Sequence, residues 1–107
     1  MYKNIKIKKS IYFNSNMRRN TGKTTIINEL GLTLQSLGYE VYILTLSNCV
    51  EYNASKRICR IDDLDGIKTD SLVILIDEEF RESNLFLEVE NFCDDNSVSM
   101  VGFVIYK

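Results

Sequence analysis

Met17-Arg18-Arg19-Asn20-Thr21-Gly22-Lys23-Thr24-Thr25 lies between an apolar, β-prone run, Ile11-Tyr12-Phe13, and an apolar helical pattern that opens at Thr24. Strand, polar loop and helix in that order make a cradle for phosphate. Backbone N–H groups of such a loop turn inward, a Lys reaches the β- and γ-phosphates, and a hydroxyl ligates Mg²⁺. A helix that starts at once points the positive end of its macrodipole at the anion. Gly22, Lys23, Thr24 and the run behind them supply each part. The bland reading is a Gly-Lys-Thr standing by chance at a helix start, with Thr24 as its cap.

The full pattern G-x-x-x-x-G-K-[ST] asks for Gly where this chain has Met17, so the motif is one residue short of a match. A second stretch adds to it. Leu72-Val73-Ile74-Leu75-Ile76-Asp77-Glu78 reads as a buried strand closed by two carboxylates. Open α/β sheets bind ligands beyond the carboxyl ends of their strands. Asp77 is thus expected to join Thr24 in holding Mg²⁺, and Glu78 to orient or polarise an attacking water. The plain alternatives are a turn Asp at 77 and first-turn helix acids at Glu78, Glu79 and Glu82, where carboxylates favour the dipole. Lys23 has a weaker plain alternative, because a cation at a helix N-terminus is unfavourable without an anion.

Further out, the odd positions Ile5, Ile7, Ile11 and Phe13 alternate with Lys6, Lys8 and Ser10, as in a strand whose core is Ser10–Phe13. Ile26, Ile27, Leu30, Leu34 and Leu37 recur at helical spacing over 24–37, and Gly38 stops the helix. Gly31 inside it predicts a close approach to a sheet. Glu40–Leu46 is apolar on nearly every residue, as a doubly covered parallel strand is. Residues 47–70 are the least legible: Ala54–Cys59 reads as a short helix, and Asp62-Asp63-Leu64-Asp65-Gly66 as an acidic turn. Set against a calcium loop, that turn would begin at Ile61 and end at Leu72, neither of them a ligand. A helix over Phe80–Phe92, a turn at Asp94-Asp95-Asn96 and a strand over Val98–Tyr106 complete the chain. Such alternation predicts one α/β domain over 1–107, with a mainly parallel sheet of about four strands between helical layers.

Composition narrows the classes. With 107 residues, 45% hydrophobic and 26% charged, the chain suits one globular domain. No apolar run is long enough to span a membrane, and no apolar block comes after the first lysines as in a secretory signal. Three scattered cysteines without a C-x-x-C pair or any His argue against structural zinc and for reduced thiols in the cytoplasm. Net charge is −2, yet residues 1–25 hold seven basic groups and no acid. A positive mouth for polyphosphate is the simpler account, and nucleic acid is a second candidate partner.

The run Gly22-Lys23-Thr24-Thr25, with Leu30, Leu34, Leu37-Gly38 and Val41 behind it, resembles the P-loop NTPases, and among them the opening of the partition and division-site ATPases (ParA/MinD type). Those carry K-G-G-x-G-K-T-T. Here Arg18 takes the place of the Lys, Arg19 and Asn20 those of the two glycines, and Asn16 matches the Asn that opens the loop. The likeness runs from Asn16 to Leu44. Acids that this type carries after its second strand are Thr45 and Ser47 here. Asp77-Glu78-Glu79-Phe80 is similar instead to thymidine kinases and to phage packaging or helicase-type ATPases, and the Arg-rich loop to the deviant loops of phage packaging ATPases. These families continue beyond the strand near Lys107, so the resemblance implies a truncated P-loop domain. The Asn-, Ile- and Lys-rich composition suits a phage or mobile element.

Residues and resemblance together lead to an expectation of Mg²⁺-dependent binding of ATP or GTP, with slow hydrolysis. Arg18, Arg19, Asn20, Thr21, Gly22, Lys23, Thr24 and Thr25 would surround the nucleotide, Thr24 and Asp77 the metal, and Lys23 and Glu78 would serve the reaction. Arg18 and Arg19 are also plain solvated loop residues, or clamps on a neighbour's phosphate. The rival readings are a non-enzymatic module that inhibits, decoys or adapts a larger protein, and a kinase of nucleoside-like acceptors. A homodimer or protein complex is expected, since an open sheet edge invites pairing.

Overall fold

The computed structural model describes residues 10–14, 23–45 and 56–105, with the side chains of Asn14, Lys23, Thr24 and Glu78 outside that description. Along the chain run β1 (Ile11–Asn14), α1 (Lys23–Ser36), β2 (Glu40–Thr45), β3 (Lys56–Arg57), a 3-10 turn (Ile61–Leu64), β4 (Leu72–Phe80), α2 (Asn84–Asn96) and β5 (Ser99–Ile105). All described strand pairs are parallel, in the order β1-β5-β4-β2-β3.

Parallel neighbours need crossovers, and right-handed crossovers that run in opposite directions along the sheet place their helices on opposite faces. From β1 the chain crosses by α1 to β2; from β4 it returns by α2 to β5. Ile27 of α1, with Leu30 and Leu34, packs on Val41, Ile43 and Leu75. On the other face Phe86, Val89 and Cys93 of α2 pack with Leu44, Ile74, Ile76, Met100 and Val104, joined by Ile58 and Leu64. The result is the expected α/β sandwich of three layers. Its central strands are buried on both sides, which is why β2 and β4 read as unbroken apolar runs.

α1 presents Ile27, Leu30, Gly31 and Leu34 inward, while Ile26 and Leu37 are exposed. Gly38 ends it with φ of 97°, and the Tyr39 N–H donates to the Leu34 carbonyl at 3.0 Å. Only glycine adopts that conformation without cost from a Cβ.

Several expectations need correction. Among the described residues the sheet has five strands rather than about four: the added one is β3, two polar residues within the stretch 54–59 for which the sequence predicts a short helix. The strand that carries the acids runs on to Phe80, because Phe80 stays in register with Ile105 and the Arg81 N–H donates to the Ile105 carbonyl at 2.9 Å. The second helix therefore starts at Asn84, where Ser83 caps it by accepting from the Phe86 N–H at 3.0 Å. Asp94, Asp95 and Asn96 form its last turn, not a separate one. Within 62–66, Asp63 accepts from the Cys59 and Arg60 N–H groups, tying the 3-10 turn to itself.

Candidate functional site

β1 leads directly into the stretch 15–22, and α1 starts at Lys23, so the amino end of α1 stands at the carboxyl edge of the sheet. Its first turn, Lys23-Thr24-Thr25-Ile26, contains no acid to offset the dipole. Thr25 is exposed there. Arg18, Arg19, Asn20, Thr21 and Gly22 lie outside the described residues, as do Met17 and the side chains of Lys23 and Thr24.

Strand register brings the acids to the same edge. Phe13 of β1 is level with Phe103 of β5, Phe103 with Asp77 of β4, and Asp77 with Thr45 of β2. Side chains alternate along a strand, so Asp77, two residues beyond Leu75, belongs to the face that carries α1. β1 and β4 are two strand spacings apart, about 9–10 Å. Asp77 and Thr45 are each only 4% exposed. A buried carboxylate at that edge is thus on the helix α1 side, level with the last turn of the strand that feeds the loop.

Glu78 is the odd residue of this edge. Asp77 pairs with Phe103 and Glu79 with Val104, so Glu78 sits in a β-bulge without a partner in β5. Bulges re-aim a side chain and end regular pairing, and they concentrate beside active sites. Glu78 and Glu79 are strand residues, not the helix-start acids of the plain alternative. Glu79 is 5% exposed and its carboxylate accepts from the Phe80 N–H at 2.8 Å. Burial raises its pKa above the usual carboxylate range, while that N–H and the charge of Arg57 pull it down.

Gly102 explains how β5 comes so close. It is in register with Ile76, and a Cβ there would fall on the Ile76 carbonyl oxygen and 2.7 Å from the Ile76 nitrogen. Thus the main chain of β5 presses on β4 at the residue before Asp77.

Arg57 and Thr45 escaped the sequence reading as members of this edge. Arg57 is in register with Ile43, and its Nη2 donates to the Thr45 carbonyl at 3.3 Å. The signal for Thr45 was present: it closes one apolar strand as Asp77 closes the next. Arg57 gave none, standing in a polar stretch without pattern.

Among the described residues no helix is long and apolar enough to cross a membrane. No protein-family model, curated protein or solved structure matches the chain, so function is inferred from these residues alone.

Proposed function

We propose that the chain binds a nucleoside triphosphate with Mg²⁺ at the carboxyl edge of the sheet and hydrolyses it slowly. One observation carries this reading. Asp77 is buried on the α1 face, level with the end of β1, and α1 opens with Lys23-Thr24 immediately after Gly22. A carboxylate, a hydroxyl-bearing helix start free of acids and a basic loop are the groups a metal–polyphosphate pair requires.

In this reading the loop 18–22 with Lys23, Thr24 and Thr25 holds the phosphates, Arg18 and Arg19 adding positive charge. Thr24 and Asp77 hold Mg²⁺, which when bound neutralises charge on the β- and γ-phosphates. Glu78, displaced by the bulge, orients the water. The domain is of P-loop type, and ATP is the first candidate nucleotide, GTP the second. Half-exposed Ile11 (49%) and Phe13 (52%) on β1, whose described pairing is with β5 alone, support association with a second copy or a protein partner. A cytoplasmic place and a phage or mobile-element origin belong to the same reading, and the basic first 25 residues keep nucleic acid as a further candidate.

The second reading, a nucleotide-binding module without turnover, is favoured by Thr45, which is uncharged beside Asp77 where a further acid would assist hydrolysis.

The test is a thermal-shift titration with Mg-ATP and Mg-GTP, and then single-turnover phosphate release. Nucleotide binding only the folded state raises Tm, and Lys23→Ala abolishes the rise. Asp77→Asn weakens Mg²⁺-dependent binding. Glu78→Gln leaves affinity near the parent value and cuts the rate at least ~10²-fold, the lower end of general-base assistance. No shift at millimolar nucleotide defeats the proposal; a shift without phosphate release selects the second reading.

A further inference from the structure

At the amino edge of the sheet, opposite the proposed nucleotide site, a groove of about 420 Å³ lies on the α1 face under the second half of α1. It arises from how α1 is seated. Ile27 fixes the helix on Val41, Ile43 and Leu75, so Leu30 and Leu34 lean over the starts of β4 and β5 and cover Val73 and Val101 only in part. Val73 is level with Ser99 of β5, whose small side chain leaves the space beside it unfilled. The volume and the apolar floor are those of a small-molecule site. The main chain ties the walls together: the Tyr39 N–H donates to the Leu34 carbonyl at 3.0 Å, and the Glu40 N–H to the Ser71 carbonyl at 2.8 Å. A groove held in this way needs little ordering to receive a ligand.

Its rim carries one sign of charge. Among the described residues that line the groove Asp70 alone is charged, and it is exposed. α1 ends beside the same rim, two residues before its stop at Gly38 gives way to Tyr39. There the helix presents the negative end of its macrodipole, with no basic residue in the last turn to offset it. Tyr39 is 41% exposed and adds an aromatic ring, a further attraction for a cation. We infer that the groove binds a small organic cation, with an ammonium head at the Asp70–Tyr39 rim and an apolar body of single-ring size against Leu30, Leu34, Val73 and Val101. An anion would meet both Asp70 and the helix end with the wrong sign. A cation without an apolar body would leave the floor in water. The site stands apart from the nucleotide reading, because the two lie at opposite ends of α1.

The test uses probes of similar size and different head: phenethylammonium, phenethyl alcohol and phenylacetate, with ethylammonium as the cation that lacks the ring. Each is titrated into the parent and into Asp70→Asn, and binding is followed by amide chemical shifts. Phenethylammonium should shift the Leu34, Tyr39, Asp70 and Val101 amides saturably and leave those of Phe86 and Val89, on the other face, in place. It should bind about tenfold more tightly than phenethyl alcohol, since the helix end and the ring both favour the charge. Phenylacetate and ethylammonium should bind more weakly still. Asp70→Asn should cut the affinity for phenethylammonium several-fold and leave that for phenethyl alcohol unchanged. Val73→Phe, which fills the groove, should abolish binding of all four; should it fail to fold, the Asp70→Asn comparison decides alone. The inference is overturned if phenethylammonium gives no saturable shift at these amides, if phenylacetate binds as well, or if Asp70→Asn leaves the preference for the cation intact.

Discussion

Replacing Gly102 with Ala is expected to be the most damaging single methyl addition to the described sheet. The residue has φ of 154°, and the new Cβ would meet the Ile76 carbonyl oxygen, nitrogen and carbon, the last at 2.8 Å. None of these is a side-chain tip that can swing away. They belong to a central strand held on its far side by β2. Overpacking a well-packed core costs about 1–3 kcal/mol, and the upper end applies because no rotamer relieves the clash. The sparsely populated backbone region adds about 1–3 kcal/mol once a side chain is present. The combined loss is about 4–6 kcal/mol, and at roughly 4–8 °C per kcal/mol for a domain near this size Tm drops by more than ~16 °C. Gly38→Ala is the control: its φ is also positive at 97°, but nothing lies within 4 Å, so it bears the backbone cost alone, about 1–2 kcal/mol. Circular-dichroism melts and urea titrations of the two variants decide the matter. A Gly102→Ala protein no less stable than Gly38→Ala would show that β5 does not approach β4 as described, and the level placement of Asp77 would fall with it.

Two further outcomes concern the α2 side. The Tyr12 hydroxyl donates to Glu90 Oε2 at 2.9 Å, and burial, then that bond and the Glu90 charge, raise its pKa well above the ordinary 10.0. The unfolded chain loses this proton near pH 10 while the folded chain keeps it, so the stability it confers is full below pH 10 and is lost as pH rises beyond. Urea midpoints across that range should fall more steeply for the parent than for Tyr12→Phe; parallel curves would refute the buried bond. Ser83→Ala removes the cap on Phe86 N–H and should cost about 1 kcal/mol in urea unfolding, an unchanged midpoint arguing that α2 starts elsewhere.

The parts of the fold legible in the sequence are those where one physical pattern acts alone. Val41–Thr45 is buried throughout and Leu72–Ile76 nearly so, on both faces, and solvent leaves no alternation to confuse the reading. α1 shows its period because one side is solvated, and Gly38 marks its end because few residues tolerate that φ. Legibility failed where tertiary pairing overrode local pattern. Phe80 belongs to a helical period with Leu87, yet cross-strand bonding to Ile105 keeps it in β4. Lys56-Arg57 has no strand signature; it is a strand because Tyr42 and Ile43 offer an edge to pair with. At the site, Asp77 was legible from its place after an apolar run. The burial of Glu79 and the bulge at Glu78 were not, since both depend on how β5 registers against β4.

The pairing of β1 with β5 also sets an order in time. The Met100 N–H donates to the Ser10 hydroxyl across 90 residues of chain. In loop-closure terms the distance costs little: each doubling of separation adds only about 0.6 kcal/mol. During synthesis it matters more. At about 5–20 residues per second, Ile11, Tyr12 and Phe13 leave the ribosome roughly 5–20 s before their partner strand exists. β2 can find β4 earlier, so the sheet grows from its middle outward and β1 docks late. In the proposed reading, a nucleotide then meets only a nearly finished domain.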